Sequence, residues 1–111
     1  MEQEMIMDRS RARVLNMKNL VAYQNHAVVS KEIVKSINGN VSLFAFERGE
    51  GLSEHVSPYD ALVYLVEGRA EIRIEGRSHS IKEGELIIMP KNKPHSLKAT
   101  ENFKMMLVMI R

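Results

Sequence analysis

No cysteine occurs among the 111 residues of the chain. Disulfides and thiolate metal centres are therefore excluded, and nothing points to an oxidising compartment. Tryptophan is absent, and phenylalanine and tyrosine number three each, which leaves few rings on which bases could stack. No apolar run approaches the roughly 20 residues of a membrane-spanning helix. Near the start only Met5, Ile6 and Met7 form an apolar run, too short for the hydrophobic region of a signal peptide. The expectation is a cytoplasmic protein without a membrane partner. An excess of one charge is lacking as well. The 16 basic residues are scattered among 14 acidic ones, for a net charge of +2 and a pI near 9.0. Only Arg9, Arg11, Arg13 and Lys18 cluster. Without a basic stripe, nucleic-acid binding is not expected.

What is present is a dense series of short strands. Residues 1–15 are rich in Glu, Gln, Met and Arg with no sustained apolar period, so they read as a tail, at most a loose helix. Asn16 can cap a short helical turn within 17–23, with Leu20 and Val21 facing inward. Residues 16–111 then form a single domain. Residues 27–37 are rich in β-branched types and stop at Asn38-Gly39, with 41–47 following at once, which predicts a hairpin. Strands are predicted over 51–57, 61–67, 70–75, 78–82, 85–89, 95–99 and 103–110, separated by glycine or polar turns. In 70–75, Ala70, Ile72 and Ile74 alternate with Glu71, Arg73 and Glu75, the mark of a strand wet on one side. Nine strands with turns every eight to twelve residues, and no helical crossovers, predict an all-β sandwich or barrel.

Three of these strands break the wet-on-one-side rule. Residues 62–66, 86–89 and 105–110 are apolar on both faces. A homodimer accounts for the second apolar face; the N-terminal segment folded across one sheet accounts for it too.

The spacing of residues around two histidines is specific. Gly49, His55, Ser57, Ala61 and Gly68 stand at the intervals of one motif, and Gly84, Pro90, Asn92, His95 and Ala99 at those of a second, with residues 69–83 between. In order and distance the two motifs resemble those of the cupin family, whose first reads Gly, His, His, Glu, Gly and whose second reads Gly, Pro, Gly, His, Asn. The resemblance implies a small single-domain cupin, a double-stranded β-helix (jelly-roll barrel) with a short N-terminal helical segment. It also implies a site inside the barrel, where family members hold a divalent metal on three histidines and a glutamate. Carried across by position, the first and last histidines are His55 and His95, the second histidine is Ser57, and the glutamate is Ala61. Two of four ligands are kept.

If the strand through His55 is regular, His55, Ser57, Tyr59, Ala61, Val63 and Leu65 share its inward face. Asp60 lies one residue from the lost glutamate, and a bulge at Pro58 would turn its carboxylate inward as a third ligand. Ser57 fits a turn cap better than a nucleophile, since no base partner is specified for it. His26, His79, Glu54 and Glu67 read as surface residues. Two functional readings stand side by side. In one, His55, His95, Ser57, Tyr59 and Ala61 line a pocket for a small polar or aromatic ligand. In the other, His55 and His95, with Asp60, hold one divalent metal (zinc, nickel, iron, manganese or copper) in an enzyme of the dioxygenase, isomerase or lyase type. A barrel filled with side chains would instead indicate a purely structural interaction domain.

Overall fold

The computed structural model describes residues 2–5 and 12–111, and ten strands run through them. These are β1 (Glu2–Met5), β2 (Val28–Ser36), β3 (Gly39–Phe46), β4 (Gly51–His55), β5 (Asp60–Glu67), β6 (Arg69–Ile74), β7 (Arg77–Lys82), β8 (Leu86–Met89), β9 (His95–Ala99) and β10 (Phe103–Ile110). They form a six-stranded sheet in the order β1-β2-β3-β10-β5-β8 and a four-stranded sheet in the order β4-β9-β6-β7. All nine expected strands are present, as β2 to β10. The tenth is a correction: Glu2–Met5, read as tail, pairs in parallel with Val29–Glu32 of β2. The helical segment reduces to one 3₁₀ turn, Met17–Asn19, with the Asn16 side chain accepting the Lys18 N–H. The hairpin turn falls one residue early, on Ile37 and Asn38, and Gly39 opens β3. No helix among the described residues is long and apolar enough to cross a membrane.

Alternation puts one face of each sheet into a common core. From the six-stranded sheet come Val28, Phe44, Phe46, Ala61, Val63, Leu65, Met89, Phe103 and Met105, and from the other Ala70, Ile72, Ile81, Leu97 and Ala99. Phe46 and Phe103, register partners, stack with centroids 4.4 Å apart at one end of the barrel. Gly68 makes that end possible. Its φ is +84°, and a Cβ there would strike the Asn102 carbonyl and come within 2.7 Å of the Phe103 Cα, so only glycine fits between β5 and β6.

A second core explains the doubly apolar strands. Val29, Leu43, Ala45 and Val66 on the outer face of the larger sheet pack against Val21, with Met17, Leu20, Tyr23, Tyr64 and Met106 around them. The N-terminal segment thus covers part of this face. The Tyr23 hydroxyl donates to Glu67 Oε2 at 2.6 Å, and Lys104 Nζ donates to the Lys18 carbonyl at 2.6 Å while lying 3.9 Å from Glu67. Burial, and then the Glu67 carboxylate that holds its hydroxyl, push the Tyr23 phenol well above its ordinary value. Glu67, expected to be solvated, is part of the clasp on this segment.

Candidate functional site

His55 ends β4 and His95 begins β9, and the two are register partners across that strand pair. Forty positions apart in sequence, they are neighbours because antiparallel pairing places their side chains on one face. Their rings meet edge to face, centroids 4.3 Å apart, with Nε2 to Nε2 at 3.1 Å. His95 is buried, 3% exposed, whereas His55 is exposed. The pair therefore sits at an opening of the barrel and not in its packed middle.

The other nitrogen of each ring is committed. His55 Nδ1 lies 2.8 Å from the Ser53 carbonyl and His95 Nδ1 lies 3.1 Å from the Lys93 carbonyl. A carbonyl accepts only, so both Nδ1 atoms carry the proton, and in the neutral rings both Nε2 atoms present lone pairs. Burial, followed by the neighbouring His55, pulls His95 below the usual histidine value, and the hydrogen bond to Lys93 opposes them only in part. His95 is thereby kept as a neutral acceptor.

The loops that carry the two motifs are tied together. The Asn92 N–H donates to the Ser57 carbonyl at 2.7 Å, and the Lys91 N–H donates to Asp60 Oδ1 at 3.0 Å. Asn92 has a φ of +63°, at the place where the family has glycine, and asparagine is the side chain that best tolerates that conformation. Asn92→Ala should therefore cost about 1–2 kcal/mol, with Asn92→Gly near neutral, as chemical denaturation would measure.

The remaining expected residues divide. The Ser57 hydroxyl accepts the Tyr59 N–H at 3.1 Å, the turn-capping role. The Tyr59 ring lies under the Arg111 guanidinium, 5.7 Å from its centroid. Ala61 is buried between Met109 and Met89 of the flanking strands. The regular strand expected from 55 to 65 is interrupted between β4 and β5. Asp60 is a correction: it is exposed, its carboxylate holds the Lys91 backbone, and no group of three or more His, Asp or Glu suited to a metal exists among the described residues. Asp60 opens β5 next to inward-facing Ala61, so alternation turns its side chain to the opposite face. His26 and His79 are exposed, as expected.

A divalent ion fits this donor set only in part. Two Nε2 atoms 3.1 Å apart can both reach one ion at about 2.0–2.1 Å, and each ring has the carbonyl partner on Nδ1 that ligating histidines carry. Protein ligands normally number three or four, and here the rest would be water.

Two further polar residues were not anticipated. Glu32 and Ser42 are buried on the inner face of β2 and β3. The alternation of Val28, Ser30 and Glu32 was the available signal. Grooves of about 470 Å³ and 540 Å³ lie elsewhere, over Glu71, Arg73 and Lys98, and between Gln24–Val28 and Glu50–Leu52.

Comparison with known proteins agrees with this geometry. A family model described as a cupin domain matches residues 42–111. The crystal structure of a conserved Streptococcus pyogenes protein of unknown function superposes with a TM-score of 0.86 at 33% identity, covering 90% of this chain and 88% of that one. A cupin 2 conserved barrel domain protein from Leptotrichia buccalis gives 0.85 at 36% identity, over 87% of this chain and 47% of that one. Among curated proteins, polyketide synthase CurC of Streptomyces cyaneus is 26% identical over 98 residues, covering 83% of this chain and 64% of its own length. The chain spans about three-fifths of the length of the curated relatives it matches.

Proposed function

The chain belongs to the cupin family, and from that premise we propose that it is a small-molecule-binding cupin. In this reading the His55–His95 pair receives a polar group of the ligand at the opening of a mostly apolar barrel. One observation carries it: two Nε2 atoms stand 3.1 Å apart while both Nδ1 atoms are committed to carbonyls. Two lone pairs at that distance repel until a proton, a donor hydrogen or a cation comes between them. A ligand hydroxyl or N–H relieves the repulsion, and Ala61, in place of the family's glutamate, supplies hydrocarbon and no third ligand. Fragment hits that perturb His95 in NMR spectra should lose binding in both His55→Ala and His95→Ala. Hits retained in both variants would contradict the proposal.

The same two atoms favour a second reading, in which His55 and His95 hold one divalent ion and water completes its shell. The ion would supply a Lewis acid with open positions, the requirement of dioxygenase, isomerase or lyase chemistry. With two protein ligands, retention through purification should be poor. Elemental analysis of tag-free protein is expected to find less than about a tenth of an equivalent of zinc, nickel, iron, manganese or copper, and a full equivalent would favour the metal reading.

We further propose a homodimer through the part of the larger sheet's outer face that Val21 and its neighbours leave uncovered. Leu86, Ile88 and Ile110 there are each more than half exposed, and Ile88 continues through Leu62 and Val108 to Val41 and Val34 across five strands. Sedimentation at micromolar concentration should give twice the chain mass, and a monomer would remove the dimer.

A further inference from the structure

Glu32 presents a problem that the packing alone does not solve. It is 8% exposed, yet among the described residues it makes no hydrogen bond or ion pair. Its register partner Ser42, 5% exposed, is in the same condition. Both lie on the face that carries Val28, Phe44 and Phe46 into the barrel core, so their side chains point inward. No buried side-chain oxygen or nitrogen in the described residues is left without a partner. The unbonded Glu32 and Ser42 oxygens therefore retain some solvent access on the inward face of β2 and β3.

Their level in the barrel is fixed by register. Glu32 pairs with Ser42, Ser42 with Leu107, Leu107 with Val63 and Val63 with Ile87, forming one row across the larger sheet. The neighbouring row contains Asn40, Met109, Ala61 and Met89. That row lies at the histidine end, since Asp60 and Ser57 are tied to Lys91 and Asn92 just before His95. Glu32 and Ser42 are thus one row deeper, two residues or about 7 Å along the strands, with Leu107 and Val63 continuing the row as hydrocarbon.

A buried carboxyl group with no cation beside it among the described residues is costly unless something supplies one. We propose that Glu32 and Ser42 form the inner recognition pair of the ligand cavity and take a protonated amine on a compact hydrocarbon body, with the His55–His95 pair at the outer end of the same ligand. This deepens the pocket proposed above and rests on it. The carboxyl supplies a charge-assisted acceptor, the serine hydroxyl a second acceptor for the ammonium, and the half-buried Leu107 and Ile87 of the same row the surface for the remainder.

Matched probes test it: benzylamine and n-butylamine against benzyl alcohol and n-butanol, titrated into the full chain up to roughly 20 mM with amide and imidazole signals followed by NMR. The expected result is that the amines perturb Glu32, Ser42 and Leu107 and bind about tenfold tighter than the alcohols, and that Glu32→Gln removes this preference while leaving the His55 and His95 signals in place. Equal binding of amines and alcohols, or a preference that survives Glu32→Gln, would overturn the Glu32 assignment and leave the histidine pocket standing. If no probe perturbs any inward-facing residue, His95 included, both fall. Should Glu32→Gln fail to fold, the amine-to-alcohol ratio of the unaltered protein decides alone.

Discussion

Replacing Phe103 with alanine should remove about 3–5 kcal/mol of folding stability, the largest stability loss expected from one side chain here. The ring is fully buried and stacked almost parallel on Phe46, 7° between planes. Deletion therefore forfeits the transfer energy of the ring, the contact with its partner and the closure of the barrel end. Relaxation cannot refill the space, because Gly68 pins the backbone of β5 and β6 against the Phe103 Cα. A domain of this size is stable by about 5–15 kcal/mol, so the melting temperature should fall by roughly 15–30 °C. Phe103 and Met109 occupy opposite ends of β10, six residues or about 20 Å apart. The variant, where still folded, should keep its imidazole pair. A drop of less than about 1 kcal/mol would mean that the barrel end is not packed as described.

The second large effect is functional. His95→Ala and His55→Ala should each abolish ligand capture at the opening, since either change removes one of two converging acceptors and leaves the other without its cross-strand partner. His95→Ala also alters the pH profile of stability. The folded-state value of His95 lies below its unfolded one near 6.5. As pH falls, the unfolded chain therefore takes up its proton first. The contribution of neutral His95 is complete above about pH 6.5 and is lost as the pH drops through the lower folded value. Urea denaturation of the unaltered protein between neutral and mildly acidic pH should show this loss, and in His95→Ala that component should disappear. Ligand binding should weaken over the same range as the acceptor on His95 is protonated.

Nine of the ten strands, the all-β class and the meeting of His55 with His95 were legible because local signals carry them: β-branched runs, glycine turns and two sets of fixed intervals. Asn16 and Ser57 were legible as caps for the same reason. Parallel pairing of Glu2–Met5 with β2 was not, since an edge strand that borrows its partner from 27 residues away has no local period to announce it. Glu67 looked solvated because its clasp with Tyr23 joins positions 44 apart. Asp60 looked like a ligand candidate by proximity in sequence, and its carboxylate went instead to a backbone N–H that only the folded loops bring near. Glu32 carries no signal of burial in its own residue type, because a charged residue in a strand ordinarily marks the wet face, whereas here the register with Ser42, Phe44 and Phe46 turns it inward.

Long-range ¹H–¹⁵N correlation of the four imidazole rings reads the arrangement at the opening most directly. His55 and His95 should both appear protonated at Nδ1, with Nε2 resonances that change in one ring when the other is replaced by alanine. Two rings protonated at Nε2, with resonances in each that ignore replacement of the other, would contradict a shared site.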